Sequence, residues 1–136
     1  MLYKTIISID DLKNNLNNDD FLIFDSRCDI KDSGYGIDSY TEGHIPNSIF
    51  VDVDTDLASE KRPGTGRHPL PDPNTFSEKL SHWGMSNNKQ VVVYDDAGGA
   101  FAGRLWWMLK WLGHEAVAVL DGGLNSWVKG GNKLVT

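Results

Sequence analysis

An α/β fold, with a mostly parallel sheet and helices on both of its faces, is what the apolar pattern of this chain predicts. Phe21-Leu22-Ile23-Phe24, Val91-Val92-Val93-Tyr94 and Ala116-Val117-Ala118-Val119-Leu120 are short, unbroken apolar runs, as expected of strands buried on both sides. Segments with helical spacing separate them, and strands alternating with amphipathic helices build parallel crossover units. With 136 residues the chain can enclose one hydrophobic core and not two, so residues 1–136 are read as a single domain.

The first helix begins at Ser8, whose hydroxyl is a good N-cap; Asp10 and Asp11 suit the first turn, and Ile9, Leu12 and Leu16 share a face. The Phe21 strand stops at Asp25, and Arg27 to Ile37 reads as a polar, glycine-containing stretch. Ile49-Phe50-Val51 is a further short strand. From Arg62 to Pro73 the chain carries four of its five prolines and two glycines, which predicts a long ordered loop. Asn74 or Asp72 caps the next helix, on which Phe76, Leu80 and Trp83 share a face before Gly84 ends it. After the Val91 strand, Asp95-Asp96-Ala97-Gly98-Gly99-Ala100 forms a tight loop into an apolar helix, Phe101 to Leu112, ended by Gly113. The Ala116 strand turns through Asp121-Gly122-Gly123 into a short helix, Leu124 to Lys129, stopped by Gly130. Residues 131–136 read as the start of a linker.

Composition narrows the function classes. Nineteen acidic against thirteen basic residues give a net charge of -6, which provides no general attraction for nucleic acid or an anionic membrane. A single cysteine, Cys28, excludes an internal disulfide and a cysteine-rich zinc site and suits a reducing compartment. Met1 to Ile9 lacks the apolar core of a signal peptide, and no apolar run approaches the ~20 residues that span a bilayer. A cytoplasmic protein without cofactor or metal is the expectation.

The loop after Tyr94 carries the most chemical information. A strand that turns through glycines into a helix start aims backbone N–H groups and the positive end of the helix dipole at one point, an anion cradle. The residue directly after the strand is Asp95, a weak nucleophile whose own charge competes with an incoming anion for those donors. The cradle is read as filled by its own side chain.

Several strings occur together in one order: Asp25-Ser26-Arg27, Gly43-His44-Ile45-Pro46, Gly66-Arg67-His68-Pro69-Leu70-Pro71, Val93-Tyr94-Asp95, Arg104-Leu105-Trp106-Trp107 and Val119-Leu120-Asp121-Gly122-Gly123 with Trp127. The chain resembles the rhodanese family, and more narrowly the N-terminal domain of the two-domain sulfurtransferases that act on thiosulfate or 3-mercaptopyruvate. The resemblance implies a rhodanese-like three-layer fold and a second, catalytic rhodanese domain beyond residue 136 as partner, with a small anionic sulfur donor bound between the two. In that family the catalytic domain carries a cysteine after the strand equivalent to Val91–Tyr94, which accepts a sulfane sulfur as a persulfide and passes it to cyanide or a thiol. Asp95 stands at that position, so the resemblance implies a catalytically silent domain. Sulfur transfer needs a soft nucleophile of depressed pKa among N–H donors, and a carboxylate cannot form the persulfide. Cys28 lacks a glycine-rich cradle and has an acidic neighbour, so a reactive role is not expected of it.

By the same resemblance, Asp54 and His68 match an aspartate and a histidine that the N-terminal domain lends to a proton relay in mercaptopyruvate-type members. A carboxylate that fixes the tautomer of an imidazole suits that task. Gly66-Arg67-His68-Pro69 is closer to the thiosulfate-type branch than to the mercaptopyruvate one; the alternative to the relay is that His68 orders the long loop and Asp54 is a solvated turn residue. Arg67 is a candidate for binding the anionic donor, with pinning the loop or the partner domain as the alternative.

Other marked residues have structural readings. The His44 ring is expected to hydrogen-bond nearby backbone, Asp25 and Arg27 to form an ion pair at the strand end, and Arg104 to pair locally with Asp95 and Asp96. Trp106, Trp107 and Trp111 lie on an apolar helix, with Trp107 and Trp111 the candidates to face a missing domain. Ile49-Phe50-Val51-Asp52-Val53-Asp54-Thr55 also fits the Asp-x-Asp-x-Thr pattern of magnesium-dependent haloacid-dehalogenase-type phosphohydrolases, with Asp95-Asp96 as the distal acidic pair. The intervening lysine motif and Ser/Thr strand of that family are missing. Phosphatases of rhodanese architecture need a cysteine opening the loop, which this chain lacks. A stand-alone binding module on a vacant rhodanese fold is the rival to the sulfurtransferase half.

Overall fold

The computed structural model of the chain describes residues 2–59 and 69–136. Among these residues five strands, β1 (Ile6–Ile7), β2 (Phe21–Asp25), β3 (Ser48–Phe50), β4 (Gln90–Tyr94) and β5 (Val117–Leu120), form one sheet in the order β1-β5-β4-β2-β3. Every pairing is parallel. Five helices connect them: α1 (Ile9–Asn14), α2 (Tyr35–Glu42), α3 (Pro73–His82), α4 (Ala102–Trp111) and α5 (Gly123–Lys129).

The unbroken apolar strands follow from burial on both faces. In β4, Val91 and Val93 enter a core with Phe76 and Leu80 of α3 and Leu105, Met108 and Leu109 of α4. Val92 and Tyr94 enter the other core, with Leu12 of α1 and Leu124 and Trp127 of α5. Successive side chains point to opposite faces of a strand, so a strand covered on both sides has no polar position to alternate with. Parallel pairing then brings the carboxyl ends of the inner strands together: Asp25 lies beside Tyr94 on one side and Phe50 on the other.

Helix ends follow local chemistry. Ser8 accepts from the Asp11 N–H at 3.1 Å, and Asp72, with Pro73 behind it, accepts from the Thr75 N–H at 3.1 Å. Asp72 is therefore the cap, and Asn74 lies inside the helix. Gly84 and Gly113 stop α3 and α4 with φ of +92° and +90°, left-handed backbone that costs glycine little.

Two features differ from the sequence expectation. β1 is a two-residue edge strand with only Ile7 buried, too short to show a period. α2 begins inside the stretch read as loop; its sequence, YGIDSYTE, mixes weak helix formers, and its one buried residue is a glycine. Tertiary packing supports it, because Gly36 lets the helix approach the Arg27 carbonyl and the Phe50 ring closely. Residues of the 131–136 segment are bonded to the domain: His44 and Val135 exchange two N–H···O bonds of 2.9 Å, and Trp127 Nε1 donates to the Lys133 carbonyl at 2.8 Å. No helix among the described residues is long and apolar enough to cross a membrane.

Gly36→Ala tests the close approach of α2. A Cβ there would sit 2.3 Å from the Arg27 carbonyl oxygen and 2.9 Å from Phe50 Cζ. The clash should outweigh the ~1 kcal/mol that alanine gains over glycine in a helix. Urea unfolding should then show a net loss of about 1–3 kcal/mol, as for an overpacked core.

Candidate functional site

Asp95 directly follows β4 and is 2% exposed. Its carboxylate accepts four backbone hydrogen bonds: Oδ1 from the N–H groups of Ala97 at 2.9 Å and Gly99 at 3.0 Å, Oδ2 from those of Phe101 at 2.9 Å and Ala102 at 2.8 Å. The last two are the orphan donors at the start of α4, which has no side-chain cap at Phe101 itself. Gly98 and Gly99, at φ of +71° and +94°, let the backbone curl around the carboxylate. A carboxylate offers about four lone-pair positions, and here all are taken. The expectation of a self-filled cradle is met in its geometry.

The carbonyl of the same residue is held from the other side. Leu124 N–H, at the start of α5, donates to Asp95 O at 2.9 Å, and a Cβ on Gly123 would lie 2.5 Å from that oxygen. Only a glycine permits so close an approach.

A second buried carboxylate supports the loop from beneath. Asp25 accepts from Arg27 Nε at 3.0 Å and Nη2 at 2.7 Å, and from Tyr94 OH at 2.9 Å, all on Oδ2. Arg27 Nη2 also donates to the Gly43 carbonyl at 2.7 Å, and Tyr94 OH accepts from the Ile45 N–H at 3.1 Å and contacts Ser48 Oγ at 3.0 Å. The expected Asp25–Arg27 pair is thus the centre of a buried network. Burial opposes the Arg27 charge, but the hydrogen bond and charge of Asp25 outweigh it and hold the guanidinium above its ordinary range. Burial, then the Asp25 charge, pushes the Tyr94 hydroxyl upward, so it stays protonated as a donor.

Neighbouring residues fill in the carboxyl ends of the strands. Tyr35 OH donates a short hydrogen bond to Asp96 Oδ2. Cys28, Asp29, Lys31, Tyr35, Asp96 and Phe101 line an open groove of about 400 Å³. Cys28 is half-buried in its wall, and its thiol is pushed up to about 11 by burial and by the charges of Asp54, Asp52 and Asp29. A thiol so placed is a poor nucleophile at neutral pH. A smaller hollow of about 230 Å³ lies between the carboxyl ends of α3 and α4, lined by Ser81, Asn87 and His114 among others, away from these groups.

The remaining candidates divide. Asp54 lies in a turn, its N–H donating to Asp52 Oδ1 at 2.9 Å, beside the Cys28 wall. His68 and Arg67 lie outside the described residues, so of the relay only Asp54 is located. The His44 ring has the structural bond expected of it, Nδ1 to the Tyr40 carbonyl at 2.8 Å, with the two rings stacked at 3.8 Å. Arg104 departs from expectation. Its Nε and Nη2 donate to the Leu57 carbonyl at 3.0 and 2.7 Å, and it makes no ion pair with Asp95 or Asp96, whose oxygens are turned to the loop amides and to Tyr35. Trp107 and Trp111 are exposed, 48% and 40%, and stack on each other at 6.1 Å.

The Asp-x-Asp-x-Thr string is a turn. Asp52 Oδ1 accepts from the N–H groups of Asp54 and Thr55, and Asp56 pairs with Lys79 at 3.1 Å. Among the described residues no three His, Cys, Asp or Glu side chains are grouped so as to hold a metal ion. Sequence reasoning missed Tyr94 and Tyr35 as supports of the site. Tyr94 had a signal, a hydroxyl at the end of a buried strand that requires a partner; the Tyr35 contact, 61 residues from Asp96, had none.

Residues 8–130 match the family model described as a rhodanese-like domain. The chain belongs to the rhodanese family, which sets aside the phosphohydrolase reading. It is 45% identical over 128 residues to the probable 3-mercaptopyruvate sulfurtransferase of Pseudomonas aeruginosa, covering 93% of this chain and 45% of that protein. The fold superposes on the 3-mercaptopyruvate sulfurtransferase from Leishmania major with a TM-score of 0.89 at 32% identity, over 98% of this chain and 36% of that one. The 3-mercaptopyruvate sulfotransferase SseA from Escherichia coli matches with a TM-score of 0.80 at 30% identity, over 98% and 50% of the two chains. The chain spans less than half the length of the curated relatives it matches.

Two measurements check the site. Asp95→Asn puts an amide NH₂ against N–H donors and should cost about 1–3 kcal/mol in denaturant unfolding, the penalty of unsatisfied buried donors. Alkylation of Cys28 by iodoacetamide should be slow at pH 8 and should rise as pH approaches about 11; a plateau below pH 9 would contradict a thiol raised by burial and by the neighbouring carboxylates.

Proposed function

We propose that this chain is the non-catalytic N-terminal half of a two-domain sulfurtransferase that uses thiosulfate or 3-mercaptopyruvate. The Asp95 carboxylate, seated on four loop amides, carries the reading. In an active rhodanese-type loop those donors would stabilise a cysteine thiolate and its persulfide, whereas here they neutralise a side chain that cannot accept sulfur. The second domain then supplies the persulfide cysteine, and this half supplies a wall of the cleft. Asp54 with His68 is the proposed accessory relay, and Arg67 the proposed contact to the anionic donor.

Support comes from the relatives' names and lengths: the Pseudomonas protein is a probable 3-mercaptopyruvate sulfurtransferase, and the matched region is 45% of it. The raised thiol of Cys28 argues against a substitute nucleophile within this half. A lone cysteine suits a reducing compartment, and we place the protein in the cytoplasm on that ground.

Purified chain incubated with thiosulfate and cyanide, or with 3-mercaptopyruvate and a thiol, should show no turnover above the blank and no protein-bound sulfur by mass spectrometry. Turnover abolished by Cys28→Ser would overturn the reading. The gene should continue beyond Thr136 into a second rhodanese-like segment, with a strand followed by cysteine. A stop codon there would instead leave a stand-alone binding module.

A further inference from the structure

The segment after α5 touches both α5 and a turn far away in the sequence. Lys133 O accepts from Trp127 Nε1 at 2.8 Å, Asn132 Nδ2 donates to the Trp127 carbonyl at 3.1 Å, and Val135 pairs with His44 through two 2.9 Å bonds. Leu134 lies over Gly43, where an added Cβ would approach its Cδ1 to 3.3 Å. The segment therefore fastens α5 to the Gly43–His44 turn.

Each of those anchors leads to one side of the Asp95 loop. From the turn, the Gly43 carbonyl holds Arg27, Arg27 holds Asp25, and Asp25 and the Ile45 N–H hold the Tyr94 hydroxyl, one residue before Asp95. From α5, the Leu124 N–H holds the Asp95 carbonyl. With seven residues, α5 is too short to be stable without tertiary contacts. Trp127, its largest buried side chain, is the one that receives the segment.

We propose that residues 132–135 are a clasp for the Asp95 loop, whose rigidity depends on whether this segment is docked. Undocking is the inexpensive local event, because Leu134 and Val135 are already exposed and only a few hydrogen bonds are lost. Release frees α5 at Trp127 and the turn at Gly43 together, and the two supports of the loop loosen with them.

Amide hydrogen exchange on the full chain provides the test, with two clasp variants and a control. Deletion of residues 132–136 removes the segment, Val135→Pro removes the N–H that donates to the His44 carbonyl, and Leu80→Ala weakens the opposite core. In the clasp variants, protection of the Gly99, Phe101 and Ala102 amides should fall roughly tenfold further than that of Val92 and Val93 in β4, as expected of local opening. In Leu80→Ala the two sets should fall together. Loop and strand amides changing equally in the clasp variants, or not at all, would overturn the proposal. If the deletion does not fold, Val135→Pro decides between these outcomes.

Discussion

Taking a charged carboxylate out of water is unfavourable by several kcal/mol unless both oxygens find donors, and Asp95 finds them in the backbone of the next seven residues. Much of the loop's shape answers to that requirement. Gly98 and Gly99 take left-handed backbone so that their neighbours' N–H groups converge, and α4 starts where its first free donors reach Oδ2. Gly123 is bare of a side chain because α5 must approach the carbonyl of the same residue. A loop that would otherwise hold an anion is thereby closed on one of its own.

A second carboxylate, Asp25, lies at the end of the adjacent strand, and the two are satisfied by different means. Asp25 has a cation, Arg27, and a tyrosine hydroxyl; Asp95 has amides alone. The difference matters for chemistry. An ion pair bound to Tyr94, Gly43 and neighbouring backbone joins β2, β4 and the turn before β3 into one unit, a role in architecture rather than proton transfer. Neither carboxylate is left free to act as a general acid or base, so chemistry at this end of the sheet must draw on other groups.

The charges around the groove point the same way. Burial, then the charges of Asp54, Asp52 and Asp29, raises the Cys28 thiol and makes it a poor nucleophile at neutral pH. The same carboxylates offer an anionic donor no attraction. The exposed Trp107–Trp111 pair adds apolar surface suited to burial.

The sequence by itself determined the parallel α/β framework and the composition of the Asp95 loop. Unbroken apolar runs, capping residues such as Ser8 and Asp72, and glycines at helix ends are local signals, legible because their causes lie within a few residues of each other. Asp95 was readable for the same reason: its four donors are its own near neighbours. Only the tertiary structure decided the rest. α2 exists because Gly36 meets Arg27 and Phe50, not because its residues favour a helix; Arg104 reaches the Leu57 carbonyl; Tyr35 reaches Asp96 and Val135 reaches His44. Most of these contacts join residues tens of positions apart, and no local propensity encodes them. They form because the assembled sheet brings their partners within reach, with the chain entropy already lost to folding.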